Sequence, residues 1–213
     1  MRNNVVDLIG TTTLPRARLF ARIEFLAQQQ AGVVGVHQLY AVGMSASQLR
    51  AQLAARRWRR VESLVIALST GPLTPEGRLW SAVLQGGPQA YLDGVSALIA
   101  AGLKGFTHDV IRVSVPQAAR SRGMEGAAVR RTSRHDETVV VRDGIPRTLP
   151  QVAAVRGALW ARSNTQAQLL LTMTVQQGLA SPQQLAEASL AIRRDKRRNL
   201  IHAVVFDLAG GVR

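Results

Sequence analysis

The side chains best placed to do chemistry in this chain are Ser45, Ser47, Gln48 and Arg50, followed closely by Arg56, Arg57, Arg59 and Arg60 around Trp58. None of them is an activated nucleophile or a metal ligand. They are hydrogen-bond donors, acceptors and fixed cations. A glutamine amide can pair with the edge of adenine, and a guanidinium can meet guanine through two parallel bonds. A run of four arginines can neutralise phosphates and release their counterions. The chemistry is therefore recognition of a duplex. Ser47, Gln48 and Arg50 are the candidate readers, and Arg56, Arg57, Arg59 and Arg60 are the candidate phosphate clamps. Ser45, Ala51 and Ala54 complete a small face that would let a helix approach closely.

Such residues need a rigid helix beneath them. Ser45 and Gln48 have the spacing of a capping box, in which the serine oxygen accepts from a free backbone N–H and the glutamine reaches back. Leu49 and Leu53 lie four apart and share the inner face. Gly43 can take a positive φ at little cost, which suits a sharp turn from an earlier helix anchored by Leu39. Residues 15–30 carry Leu19, Ile23 and Leu26 at helical spacing and predict a leading helix. Behind the capped helix, Arg56 to Val61 predicts a strand, Glu62 and Ser63 a turn, and Leu64 to Leu68 a returning strand. Helix, turn, helix and basic ribbon in this order predict a winged helix-turn-helix. The competing reading is a helical hairpin with a solvated basic edge, since arginines also favour helix C-termini.

The same stretch resembles the winged-helix domain of AbiEi-type antitoxins. The matching residues are Gly32, Leu39, Gly43, Met44, Ser45, Leu49, Leu53, Trp58, Arg59, Arg60, Val61, Ala67 and Leu68. The family pattern has Pro-Gly before the returning strand and a tyrosine within it, where this chain has Ser63-Leu64 and Ile66. Further on, residues 72–80 and Ser96-Ala97 resemble the middle region of these antitoxin-like proteins. The family's Ser-His-x-Ser-Ala is Asp93, Gly94, Val95, Ser96 and Ala97 here. Thr148 and Pro150 also match a later family segment, but Val152 and Arg156 stand at its arginine and aspartate positions. The resemblance implies repression of the chain's own operon and neutralisation of a nucleotidyltransferase toxin.

Composition narrows the function classes. The 213 residues suit one or two domains, and 46% hydrophobic content is enough for a packed core. With aromatics at 4%, that core must be mostly aliphatic. There is no cysteine, which excludes disulfides and thiolate metal sites. No apolar run reaches the roughly 18 to 20 residues of a membrane span, and the start has no signal-peptide core. A cytoplasmic protein without a membrane partner is expected. The formal net charge of +14 attracts polyanions, with nucleic acid as the first candidate, and the helix-turn-helix reading makes double-stranded DNA the expected partner.

The division expected from sequence is residues 1–72 for the DNA-binding unit with its leading helix and residues 73–213 for a mixed α/β antitoxin or regulatory domain. Residues 1–14 are expected as an edge strand or without regular structure. Thr74, Pro75 and Glu76 supply an N-cap, a first-turn proline and a first-turn acid, ahead of the stripe Leu79, Trp80, Val83 and Leu84. Ala90 to Leu92 predicts a short strand and Val95 to Leu103 a short helix. Alternation over 110–115, 126–132 and 138–141 predicts a small, largely antiparallel sheet, with Arg112, Arg130, Arg131, Arg134 and Arg142 able to make one face basic. Helices are expected over 166–178, after the capping box of Ser181 and Gln184, and over 200–208. The fold class is thus α+β. The cluster Arg193, Arg194, Lys196, Arg197 and Arg198 reads as a solvated helix junction, with a phosphate contact as the alternative.

Nothing in the sequence points to catalysis. His37, His108, His135 and His202 lack metal-ligand spacing, and no Gly-rich phosphate loop or Gly-x-Ser-x-Gly elbow occurs. No acidic residue has a lysine two positions later, as the metal-binding element of many nucleases requires. No catalytic residue, metal or cofactor is expected. The functional expectation is a DNA-binding, antitoxin-like transcriptional regulator. The alternative is a non-catalytic DNA-recognition protein related to endonuclease-fused homologues, without an antitoxin role. Oligomeric state stays open.

Overall fold

The computed structural model describes residues 15–107, 109–119, 123–132 and 136–210. The readings of residues 1–14, of Arg134 and of His108 and His135 lie outside them. The chain is mixed α/β. The described residues begin with helix α1 (Arg16–Gln29), strand β1 (Val33–Gly35), helix α2 (Val36–Ala41) and helix α3 (Ala46–Ala54), then strands β2 (Arg59–Glu62) and β3 (Val65–Ala67). The three strands form an antiparallel sheet in the order β1-β3-β2, with Val34 opposite Ile66 and Val33 opposite Ala67.

Strands β1 and β3 of this small sheet are buried on both faces, and strand alternation explains how. Val34 and Ile66 point towards α1, α2 and α3, where they join Leu19, Ile23, Leu39, Leu49 and Trp58 in one apolar cluster. Val33, Val65 and Ala67 point the other way and pack with Leu79, Trp80 and Val83 of helix α4 (Pro75–Gly86). Helix α4 starts as its sequence dictates, with the Thr74 hydroxyl accepting from the Gly77 N–H at 3.0 Å and Pro75 at the first helical position. The apolar cluster that contains α4 therefore runs continuously from the first sheet into the rest of the chain.

Strand β4 (Tyr91–Leu92) and helix α5 (Gly94–Ala100) follow, then strands β5 (Ile111–Pro116) and β6 (Ala127–Thr132). After a 3-10 turn at Glu137–Val139 come strands β7 (Val140–Val141) and β8 (Arg147–Thr148). These five strands form a second sheet, β6-β5-β4-β8-β7. The expectation of a largely antiparallel sheet is corrected here. Pairs β4–β5 and β7–β8 are antiparallel, but β5–β6 and β4–β8 are parallel. Alternation within a strand carries no information about direction, and the connection from β5 to β6, residues 117–126, is shorter than the roughly dozen residues usual for a parallel crossover.

Four helices follow among the described residues: α6 (Pro150–Leu159), α7 (Asn164–Gln176), α8 (Pro182–Leu190) and α9 (Arg198–Gly210). Helix α6 is central, packing against α5, α7 and α8. Its approach to α5 and α7 requires Gly157, where an added Cβ would stand 2.6 Å from Leu170 Cδ2. No helix among the described residues is long and apolar enough to cross a membrane.

Candidate nucleic-acid interface

Helices α2 and α3 meet at Gly43, whose φ of 98° is the left-handed geometry that side chains avoid. Ser45 is the N-cap of α3. Its hydroxyl accepts from the Gln48 N–H at 3.1 Å, and its own N–H donates to Gln48 Oε1 at 2.8 Å. Such a cap contributes about 1 kcal/mol, and it fixes the first turn of the helix. Ser47 is held in the same turn, with its hydroxyl 2.9 Å from that of Ser45. Gln48 is half-buried and spends its carbonyl oxygen on the cap, which leaves its amide N–H groups for other partners. Leu49 is buried inside, while Ser47, Arg50, Ala51 and Ala54 are exposed on the outside.

The end of α3 sets the direction of the arginines. Arg56 adopts φ 52°, its N–H donates to Leu53 O at 3.1 Å, and the Arg57 N–H donates to Gln52 O at 3.2 Å. This is a Schellman closure with arginine at the position where glycine is preferred. Both Arg56 and Arg57 are exposed. Trp58 turns inward, 8% exposed, with its ring 5.8 Å from that of Phe20 on α1. The tryptophan thus anchors the start of the ribbon to the leading helix.

The other two arginines are engaged with backbone. Arg59 is half-buried and donates to Gly71 O at 2.7 Å, and Arg60, although exposed, donates to Ser63 O at 2.6 Å. The turn between β2 and β3 is also tied down. Gln85 of α4, 2% exposed, accepts from the Leu64 N–H at 2.9 Å and donates to Ser63 Oγ at 2.9 Å. The register shifts between Arg60 and Glu62, so the ribbon carries a bulge. Burial, and then the charge of Glu125, push the Glu62 carboxyl above its usual range.

The remaining basic residues are scattered by the fold. Arg112 and Arg130 converge on Trp160 at the end of α6, their guanidiniums 5.4 and 4.9 Å from its ring centroid. Arg131, one residue on from Arg130, faces the opposite side of β6 by alternation. Arg197 from the 193–198 cluster is 7% exposed and donates to Leu159 O at 2.9 Å, so it joins the end of α6 to the start of α9.

Sequence reasoning missed a buried polar constellation behind the second sheet. Asp93, 1% exposed, is the N-cap of α5. Its Oδ2 accepts from Arg156 Nη1 at 2.8 Å and Ser114 Oγ at 2.7 Å. Its Oδ1 accepts from the Gly94 N–H at 2.8 Å and Thr148 Oγ1 at 3.1 Å. Burial, the largest single influence, would lower the Arg156 guanidinium, but the Asp93 charge and the neighbouring Tyr91 together outweigh it and raise the pKa. Burial, and then the Asp93 carboxylate, raise the neighbouring Tyr91 phenol. The only sequence signal was that positions 93 and 156 both depart from the pattern the chain otherwise resembles.

No family model and no curated protein matches the sequence. Among solved structures, the crystal structure of the RV2827C protein from Mycobacterium tuberculosis is similar, with a TM-score of 0.52 over 91% of this chain and 78% of that one. At 17% identity the likeness is one of fold.

Proposed function

We propose that this chain binds double-stranded DNA through α2, α3 and the β2–β3 ribbon, acting as a winged helix-turn-helix with α3 in the major groove. The observation that carries this reading is the outer face of α3, where exposed Ser47, Arg50, Ala51 and Ala54 run directly into exposed Arg56 and Arg57. A small, polar and basic surface on a helix capped at both ends matches the needs of a groove-reading element. The ribbon's contribution is narrower than the run of arginines suggests. Arg59 and Arg60 each give one N–H to a backbone carbonyl, so Arg56 and Arg57 are the principal phosphate contacts.

The wider role is that of an antitoxin-like regulator that represses its own operon and counteracts a nucleotidyltransferase toxin. Support for that role is the residue pattern shared with AbiEi-type antitoxins from Gly32 to Leu68. The DNA-binding reading is tested by titrating a fluorescent duplex with the full chain at several salt concentrations. Tight binding that weakens steeply with salt is expected, and the Arg56→Gly, Arg57→Ala chain should have a shallower slope, by roughly 0.9 for each phosphate that is no longer neutralised. An unchanged slope would overturn the assignment of these two arginines. The toxin role is tested by co-expressing the chain with a nucleotidyltransferase encoded beside it. Growth rescue is expected, and failure of a well-expressed chain to rescue would remove that role.

A further inference from the structure

We propose that the cavity between the second sheet and helices α6 and α8 binds a small organic monoanion, a carboxylate with an apolar body. The cavity has a volume of about 490 Å³, within the range of roughly 300 to 1,000 Å³ common for small-molecule sites. One wall is apolar, formed by Val155 and Leu159 of α6 with Ala188 and Ile192 from α8 and its end. The other wall carries two guanidiniums, Arg130 and Arg156, with Ser114 and Asp93 beside them.

The hydrogen bonds decide which groups face a ligand. Asp93 accepts four bonds, two on each oxygen, so its acceptor capacity is filled by protein. Its role is positioning. The carboxylate holds Arg156 through Nη1 and Tyr91 also bonds to the guanidinium, while the arginine side chain stays 26% exposed and lines the cavity. A guanidinium carries five N–H donors in fixed geometry, and one fixed by a buried partner loses little entropy when it captures an anion. Arg130 is brought to the same wall by the parallel register of β5 and β6, which sets it opposite Ser114. Its guanidinium is steadied over Trp160. Two forks suit a planar carboxylate. Asp93 and Asp136, which also line the cavity, disfavour a more highly charged anion.

The site involves none of the residues assigned to DNA, so its test is independent of that reading. Octanoate serves as the probe in calorimetric titration of the full chain, with octanamide as its neutral analogue and inorganic phosphate as a competitor. Octanoate should bind once per chain. Octanamide should bind roughly tenfold or more weakly, as expected when a charge-assisted bond is removed, and phosphate should not displace octanoate. Arg130→Gln, at an exposed position that should not affect folding, should weaken octanoate by a similar factor. Ala188→Phe, which fills the apolar wall, should abolish binding while the thermal unfolding transition is kept. Absence of saturable octanoate binding, equal affinity for octanamide, displacement by phosphate, or wild-type affinity in both variants would each overturn the proposal.

Discussion

Arg156 Nη1 lies 2.8 Å from Asp93 Oδ2, joining residues 63 positions apart across the interior of the larger apolar core. The pair ties α6 to the junction of β4 and α5, and Ser114 and Thr148 add β5 and β8 to the same carboxylate. Replacing Arg156 with methionine keeps much of its length but leaves Asp93 buried without a counter-charge. Removing one partner of such a pair costs about 3 to 5 kcal/mol. Urea denaturation of Arg156→Met should show a destabilisation of that order, and a change below about 1 kcal/mol would mean that the carboxylate is relieved by solvent.

The left-handed backbone at Arg56 separates charge from fold. A non-glycine residue there carries strain of about 1 to 2 kcal/mol, offset in part by the greater chain entropy of glycine. Arg56→Gly should therefore be at least as stable as the wild type in denaturant while binding DNA more weakly. A clear drop in stability would show that the Arg56 side chain holds the end of α3.

Gln85 makes a third test. Its buried amide is the link between α4 and the turn of the β2–β3 ribbon, and truncation to alanine would leave the Leu64 N–H and Ser63 hydroxyl without that partner. Unsatisfied groups of this kind cost about 1 to 3 kcal/mol. Gln85→Ala should lower stability within that range and speed amide exchange at Leu64. Unchanged exchange would show that the turn is held without α4.

Glu62 predicts a pH effect. Its carboxyl is raised in the folded chain, first by burial and then by Glu125, so the folded state binds a proton more readily than the unfolded state. Its favourable contribution is therefore present below the unfolded carboxylate pKa and lost as pH rises through the raised value. Glu62→Gln should be more stable than the wild type at neutral pH, with the difference closing as pH falls through the carboxylate range. A difference that grows on acidification would contradict the sign.

Local chemistry was the legible part of the sequence. The caps at Ser45, Thr74 and Ser181 are written in residues three apart or adjacent, and each helix begins where they place it. Strand β1 was not anticipated, because three apolar residues next to a helix have no period to detect. Strand direction in the second sheet was equally hidden, since the same alternation serves parallel and antiparallel neighbours. Arg197 looked like one more surface cation, and only the path of α6 and α9 buries it. The Asp93–Arg156 pair depends on a long-range contact that neither residue announces. On the candidate interface, the outer face of α3 was readable from helical spacing. The engagement of Arg59 with Gly71, and of the ribbon turn with Gln85, depended on how later segments pack.

Arg50 gives the most direct test of α3 as the reading element. A duplex carrying the chain's own upstream region and a scrambled duplex of equal length should be titrated with wild type and with Arg50→Ala at one fixed salt concentration. A good bidentate base contact is worth about 1 to 3 kcal/mol of discrimination. With α3 as the reader, the wild type should prefer the upstream duplex, and Arg50→Ala should reduce that preference by this order while its affinity for scrambled DNA falls far less. Equal reductions on both duplexes, or no reduction on either, would contradict it.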